Sequence, residues 1–126
     1  MAQQAATPPA PRSGRGAAPN EAASPPRRHS RHTYGALDLG TNNCRLLIAR
    51  PTETGFTVVD AFSRIVRLGE GLSTSGKLSE EAMDRAIGAL AVCAEKLRRR
   101  NVSLSRSVAT EACRRAVNGR DFAERV

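Results

Sequence analysis

Between Asp38 and Arg45 the chain gathers an acid, a glycine, three short polar side chains and a guanidinium, in the run Leu37-Asp38-Leu39-Gly40-Thr41-Asn42-Asn43-Cys44-Arg45. Glycine adopts backbone conformations closed to other residues, while threonine and asparagine hold short polar groups close to the main chain. A turn of this composition can converge its amide N–H groups, the Thr41 hydroxyl and the Asn42 and Asn43 side-chain amides on one anionic oxygen. That is the chemistry of a phosphate nest, and Asp38, at the end of the preceding strand, is placed to steer a metal or a water. The same residues also meet a purely structural demand, because Asp, Gly and Asn are what a hairpin connection between two apolar runs requires. Arg45 adds weight to the anion reading. A guanidinium in a strand otherwise made of Cys44, Leu46, Leu47, Ile48 and Ala49 is costly unless it meets an anion or water.

A second segment with the same chemical leaning is Thr110-Glu111-Ala112-Cys113-Arg114-Arg115. Val102, Leu104, Arg106 and Val108 alternate ahead of it, so it reads as a strand end followed by a helix start, where open sheets place ligands. The Thr110 hydroxyl, the first helix amides and the Arg114 and Arg115 guanidiniums suit phosphate; an ordinary N-cap with a basic first turn fits equally well. Cys44, Cys93 and Cys113 form no C-x-x-C pair, and every histidine lies in the first 33 residues, where no partner for these thiols is expected. The pattern points to reduced, mostly buried thiols in a cytoplasmic protein, not a disulfide or zinc framework or a thiol nucleophile.

These residues need a scaffold, and the patterning supplies one. Two strands flank the turn, Thr52 to Gly55 turns again, and a third strand runs from Gly55 through Phe62. Val58, Val59, Phe62, Ile65 and Val66 are apolar on both sides, which predicts a strand covered on two faces or bending across one. Arg64 and Arg67 then read as a solvated strand edge or a direct substrate contact. Ser79 opens a helix as N-cap, with Glu80 and Glu81 in its first turn and Leu78 stapled to Met83. Met83, Ile87, Leu90, Ala94 and Leu97 recur at helical spacing and are expected to pack on the sheet. Asn101 ends this helix, the fourth strand follows a crossover, and two short helices divided at Asn118-Gly119 close the chain.

Composition divides the 126 residues near Thr33. Residues 1–33 hold six of the seven prolines and, beyond Met1 and alanines, no apolar side chain, so they are expected to form a disordered arm. That arm and residues 34–126 each carry a net charge of +4, and the arm could raise the local concentration of a polyanion through charge alone. Nothing in the chain resembles a secretory signal or approaches transmembrane length. Nucleic acid is an unlikely partner, because Tyr34, Phe56, Phe62 and Phe122 are not interleaved with the basic residues as a stacking platform requires. A G-x-G-x-x-G run is also missing, which disfavours a dinucleotide fold.

The stretch ALDLGTNNCRLLIA resembles the first phosphate-binding motif of the exopolyphosphatase and guanosine pentaphosphate phosphohydrolase (Ppx/GppA) family, within the actin-like, Hsp70-like and sugar-kinase superfamily. RIVRLGEGLSTSGKLSEEAMDRAIGAL and VATEACRRAVNGRDFAERV resemble the same family in the same order, so the likeness covers residues 34–126. It implies an α/β fold, an incomplete ribonuclease-H-like half of the actin-like domain. The implied activity is hydrolysis of terminal phosphates of polyphosphate or guanosine pentaphosphate with a divalent metal, usually magnesium, by a full-length relative that is a homodimer. In that scheme Gly40, Thr41, Asn42 and Asn43 hold the terminal phosphate, with Thr110 and Arg114 as further contacts. Arg45 neutralises developing charge, and Asp38 orients metal-bound water. DFAERV ends without a C-cap and reads as cut, with the family's water-activating glutamate beyond it; Glu111 is not assigned that role. An ATP-binding module of the chaperone or sugar-kinase branch, and a non-catalytic polyanion-binding protein that works through its basic arm, stay open beside this reading.

Overall fold

In the computed structural model, residues 31–126 are described. Four strands, β1 (Tyr34–Leu39), β2 (Asn43–Pro51), β3 (Phe56–Ile65) and β4 (Leu104–Ala109), form one sheet in the order β3-β2-β1-β4. The helices are α1 (Leu72–Ser75), α2 (Glu80–Arg99), α3 (Ala112–Arg115) and α4 (Gly119–Arg125). The first three strands are antiparallel neighbours, whereas β4 returns beside β1 in parallel after crossing over through α2. This is the α/β order expected from the sequence, with α1 as the element that the glycine-rich run around Gly71 concealed.

Register decides which side chains meet. Leu39 lies opposite Cys44 and Leu37 opposite Leu46, so Leu39, Cys44, Leu46 and Ile48 turn to the face covered by α2 and are buried. Val66, Leu68, Leu78 and Phe122 extend that core. The buried stripe of α2 is Ala82, Met83, Ala86, Ala89 and Cys93, rotated from the expected stripe. Ile87, Leu90 and Leu97 pack at its margin, because the small residues let the helix approach the sheet closely. Gly35 belongs to the same close approach: a Cβ there would meet Leu97 Cδ2 at 2.7 Å. Ser79 caps the helix as expected, accepting the Ala82 N–H at 3.1 Å, a contact worth about 1 kcal/mol.

Of the two expectations for the third strand, cover on both faces does not hold. This strand is the sheet edge, with Phe56, Val58 and Ile65 exposed. A register shift opposite Ile48 and Ala49 splits its apolar residues between the two faces, so Asp60 and Phe62 turn toward α2. Asp60 binds Lys96 Nζ at 3.2 Å and Arg100 Nε at 3.3 Å, which ties this edge to the end of α2. The Lys96 ammonium foremost holds the Asp60 carboxyl below its ordinary range. Tyr34, Leu47, Leu104 and Val108 join the exposed residues of β3 on the face opposite α2.

Of the expected disordered arm, residues 1–30 lie outside the described residues. Thr33, placed within that arm, is buried instead: its hydroxyl donates to the Arg100 and Asn101 carbonyls at 3.4 and 3.3 Å, and its carbonyl accepts the Ser103 N–H at 2.8 Å. Among the described residues, no helix is long and apolar enough to cross a membrane.

Candidate phosphate site

The turn between β1 and β2 closes with the Gly40 N–H donating to the Asn43 carbonyl at 2.7 Å. The Thr41 and Asn42 carbonyls are engaged by the segment after β3. Asn42 O accepts the N–H groups of Val66 and Arg67 at 2.7 and 3.0 Å, and Thr41 O accepts that of Gly69 at 3.1 Å. In a planar trans peptide the carbonyl and the following N–H point in opposite directions. Drawing the Thr41 carbonyl toward the 66–69 segment therefore turns the Asn42 N–H away from it, and the Thr41 and Asn42 N–H groups meet no acceptor among the described residues. The Thr41 and Asn42 carbonyls, which would repel an anion, are thus occupied, and two turn N–H groups are left without a protein acceptor among the described residues.

The supporting segment is itself held. Arg85, on α2, donates from Nε to the Val66 carbonyl at 2.8 Å and from Nη2 to the Arg67 carbonyl at 3.3 Å, and pairs with Glu70 at 2.8 Å. Arg67 takes a left-handed backbone conformation, φ 47°, which these bonds on either side of it stabilise. Gly69 permits the close approach, since a Cβ there would lie 2.4 Å from Thr41 Cγ2.

The second motif arrives from β4. The Thr110 N–H donates to the Leu39 carbonyl at 2.7 Å, which continues the parallel ladder past the strand end. Its hydroxyl then stands 2.7 Å from the Thr41 hydroxyl. Two segments far apart in sequence and chosen separately for their chemistry therefore present a hydroxyl pair at one point. Thr110 Oγ1 also accepts the Ala112 N–H at 3.3 Å. The α3 amides do not form the donor cluster expected of them: those of Ala112, Cys113 and Arg114 are bonded to Thr110 and Glu111 acceptors within a single helical turn.

Asp38 and Arg45 are cross-strand partners on the sheet face opposite α2, without an ion pair between them. They share with Arg106, Leu47 and Val108 a shallow concavity of about 660 Å³. Arg45 is exposed, because β2 alternates between a buried and an open face. The cost of burying a guanidinium in an apolar strand, which pointed to an anion, does not arise. Thr41 borders a different cavity, of about 340 Å³, with Gly69, Leu72, Ser73, Gly76 and Arg115. Arg114 lines neither, whereas its neighbour Arg115 borders the second.

A magnesium ion fits this arrangement only through Asp38 and substrate oxygens. Among the described residues no group of three or more His, Cys, Asp or Glu gathers, and magnesium is commonly held by one or two carboxylates with phosphate oxygens and water. The thiols are not poised for catalysis. Cys44 and Cys93 are fully buried with their Sγ atoms 3.9 Å apart, and burial raises both, Cys93 to about 12. Cys113 is also raised by burial.

An actin-like α/β sheet that offers hydroxyls and turn amides at one end defines the class of protein. A family model described as the Ppx/GppA phosphatase family matches residues 47–126, and the chain belongs to that family. A solved Ppx/GppA family member from Aquifex aeolicus matches with 30% identity and a TM-score of 0.72, over 75% of this chain and 31% of that one. An exopolyphosphatase from Cytophaga hutchinsonii matches with 31% identity and a TM-score of 0.69, over 75% of this chain and 30% of its own. An exopolyphosphatase-like protein matches at 33% identity and a TM-score of 0.69, over 75% and 29%. The chain thus spans less than a third of the length of these structures. The family model begins after the turn, so the case for Asp38 through Arg45 rests on geometry.

Neither Arg85 nor Asn118 was read from sequence as part of the site. The sequence marks Asn118 only as a helix break, yet its side chain bonds both the N–H and the carbonyl of Leu78 at 2.9 Å and fixes where α3 lies. These contacts join residues 19 and 40 positions apart, which no local pattern records.

Proposed function

We propose that this chain provides the phosphate-binding wall of a phosphoric-anhydride hydrolase that releases terminal phosphate from inorganic polyphosphate or guanosine pentaphosphate. The observation that carries the reading is the Thr41–Thr110 hydroxyl pair beside turn amides that have no acceptor among the described residues. Hydroxyls and free N–H groups at one point are the donor set that a tetrahedral oxyanion needs, and phosphoryl transfer depends chiefly on positioning and charge. Thr41 and the amides of Thr41 and Asn42 bind the terminal phosphoryl group, and Thr110 orients the Thr41 hydroxyl. Arg45 acts at long range from the adjacent face on charge developing in the transferred group. Asp38 would hold the magnesium ion, which supplies charge neutralisation when bound.

These groups bind but do not complete a catalytic set, so the 126-residue chain is expected to bind phosphate chains with little or no turnover. Titrating ¹⁵N-labelled protein with pyrophosphate tests the reading. The Thr41 and Asn42 amide resonances should move, and Thr41→Val should abolish the response while the remaining spectrum stays native. Unmoved turn resonances in folded protein would refute it, and so would robust phosphate release by the chain alone.

A further inference from the structure

The cavity beside Thr41 is unlike the larger concavity on the sheet face. It is walled by Gly69 and Gly76, by the α1 residues Leu72 and Ser73, and by Arg115 at the end of α3. Each wall is fixed from behind. Gly69 is bonded to Thr41 O, and α1 runs between two left-handed glycines, Gly71 at φ 77° and Gly76 at φ 71°. The end of α3 is docked on the loop before α2 by the Val117 N–H to Gly76 O bond, 3.0 Å, and by both Asn118 bonds to Leu78. Arg115 is therefore carried to the cavity by a braced segment.

Charge pairing sets Arg115, like Arg114 and Arg120, apart from the arginines of α2 and from Arg125, and of those three only Arg115 lines this cavity. Arg85, Arg98, Arg99, Arg100 and Arg125 all pair with carboxylates. Arg115 has no carboxylate partner among the described residues, although it lines a cavity that contains no acid. A guanidinium and the Ser73 hydroxyl, set beside a hydroxyl already assigned to one phosphoryl group, form a donor set for a second anion. About 340 Å³ is within the range of small-ligand pockets.

We propose that this cavity is a second anion subsite, which takes the phosphate linked to the one held at the Thr41 turn, with Arg115 as its charged contact and Ser73 as its hydroxyl donor. The inference rests on the phosphate reading of the turn and narrows it. The preferred ligand carries at least two phosphates in a row, and the added affinity of the second comes from α1 and α3, outside the β1–β2 turn.

Isothermal titration of the 126-residue chain with orthophosphate and with tripolyphosphate tests this, with native spectra checked for every variant. Arg115→Gln should weaken tripolyphosphate roughly tenfold, about 1.4 kcal/mol, and leave orthophosphate within about twofold. Ser73→Phe, at an exposed position, should fill the cavity and reproduce that selective loss. Arg120→Gln removes the same charge from α4, away from the cavity, and should change neither ligand. Equal losses for both ligands, no loss in either cavity variant, or a matching loss in Arg120→Gln would overturn the subsite while leaving the turn reading intact. Failure of the native chain to bind either ligand would overturn both.

Discussion

Replacing Arg85 by methionine would test whether the phosphate turn is held from a distance. The guanidinium donates to the Val66 and Arg67 carbonyls and pairs with Glu70, and the 66–69 segment in turn bonds the Thr41 and Asn42 carbonyls. The Glu70 pair, with side chains 38% and 57% exposed, is worth about 0–1 kcal/mol. The bond from Nε to Val66 O is half-buried and charge-assisted, a class worth about 1.5–3 kcal/mol, and the longer bond to Arg67 adds less. Methionine keeps the aliphatic contact and loses every donor, so the total loss should be about 2 kcal/mol. For a domain of this size that is a fall in Tm of roughly 8–16 °C by differential scanning calorimetry. Glu70→Gln should cost under about 1 kcal/mol, because it leaves both carbonyl bonds in place. Amide hydrogen exchange provides the more specific readout: Val66, Arg67 and Gly69 should lose protection in Arg85→Met, with pyrophosphate affinity falling in parallel. If Arg85→Met costs no more than Glu70→Gln and the 66–69 amides keep their protection, Arg85 is a surface ion pair and the chain of support is wrong.

Other residues give sharper or simpler tests. Gly119→Ala would place a Cβ 1.7 Å from the Cys113 carbonyl oxygen, so the α3–α4 connection must open, and a loss above about 3 kcal/mol is expected in urea denaturation. Gly69→Ala meets only the Thr41 methyl at 2.4 Å; it should reduce phosphate affinity more than it reduces Tm, because the Thr41 side chain can rotate away. Asp60→Asn should lower Tm at neutral pH. A depressed carboxyl pKa in the folded state stabilises above the unfolded value and is lost as pH falls through the folded one, so the native and variant melting curves should converge in acid below the ordinary aspartate range. With an aromatic disulfide reagent at pH 8, native protein should release at most one equivalent of thiolate, from Cys113, and three after unfolding.

What could be read without coordinates depended on the range of the interactions. Ser79 with Glu80 and Glu81 announced α2 because capping and dipole effects act within one turn, and the Gly40-Thr41-Asn42-Asn43 turn was legible for the same reason. The face that α2 buries was misjudged by part of a turn. Helical spacing alone favours the large residues Ile87, Leu90 and Leu97, but close contact with the sheet selects Ala82, Ala86 and Ala89. The third strand was misplaced because apolar residues on both sides predict the same thing whether a strand is central or is an edge with a register shift. Both hydroxyls of the site were identified as candidates, yet nothing in the sequence stated that Thr41 and Thr110 touch. That follows from β4 returning parallel to β1 in a register that ends both strands together.

That Arg115 and not Arg114 borders the cavity with Thr41 has the same origin. Consecutive helix residues point about 100° apart, so a run of two arginines contains no instruction about which one reaches a ligand. The choice is made by the docking of α3, through Val117 on Gly76 and Asn118 on Leu78. Removing the Asn118 side chain should therefore impair Arg115 without touching it. Asn118→Ala is expected to weaken tripolyphosphate selectively, like Arg115→Gln, and the two changes combined should cost little more than either alone. Additive losses would mean that Asn118 serves stability only, and that something other than the α3 docking brings Arg115 to the cavity.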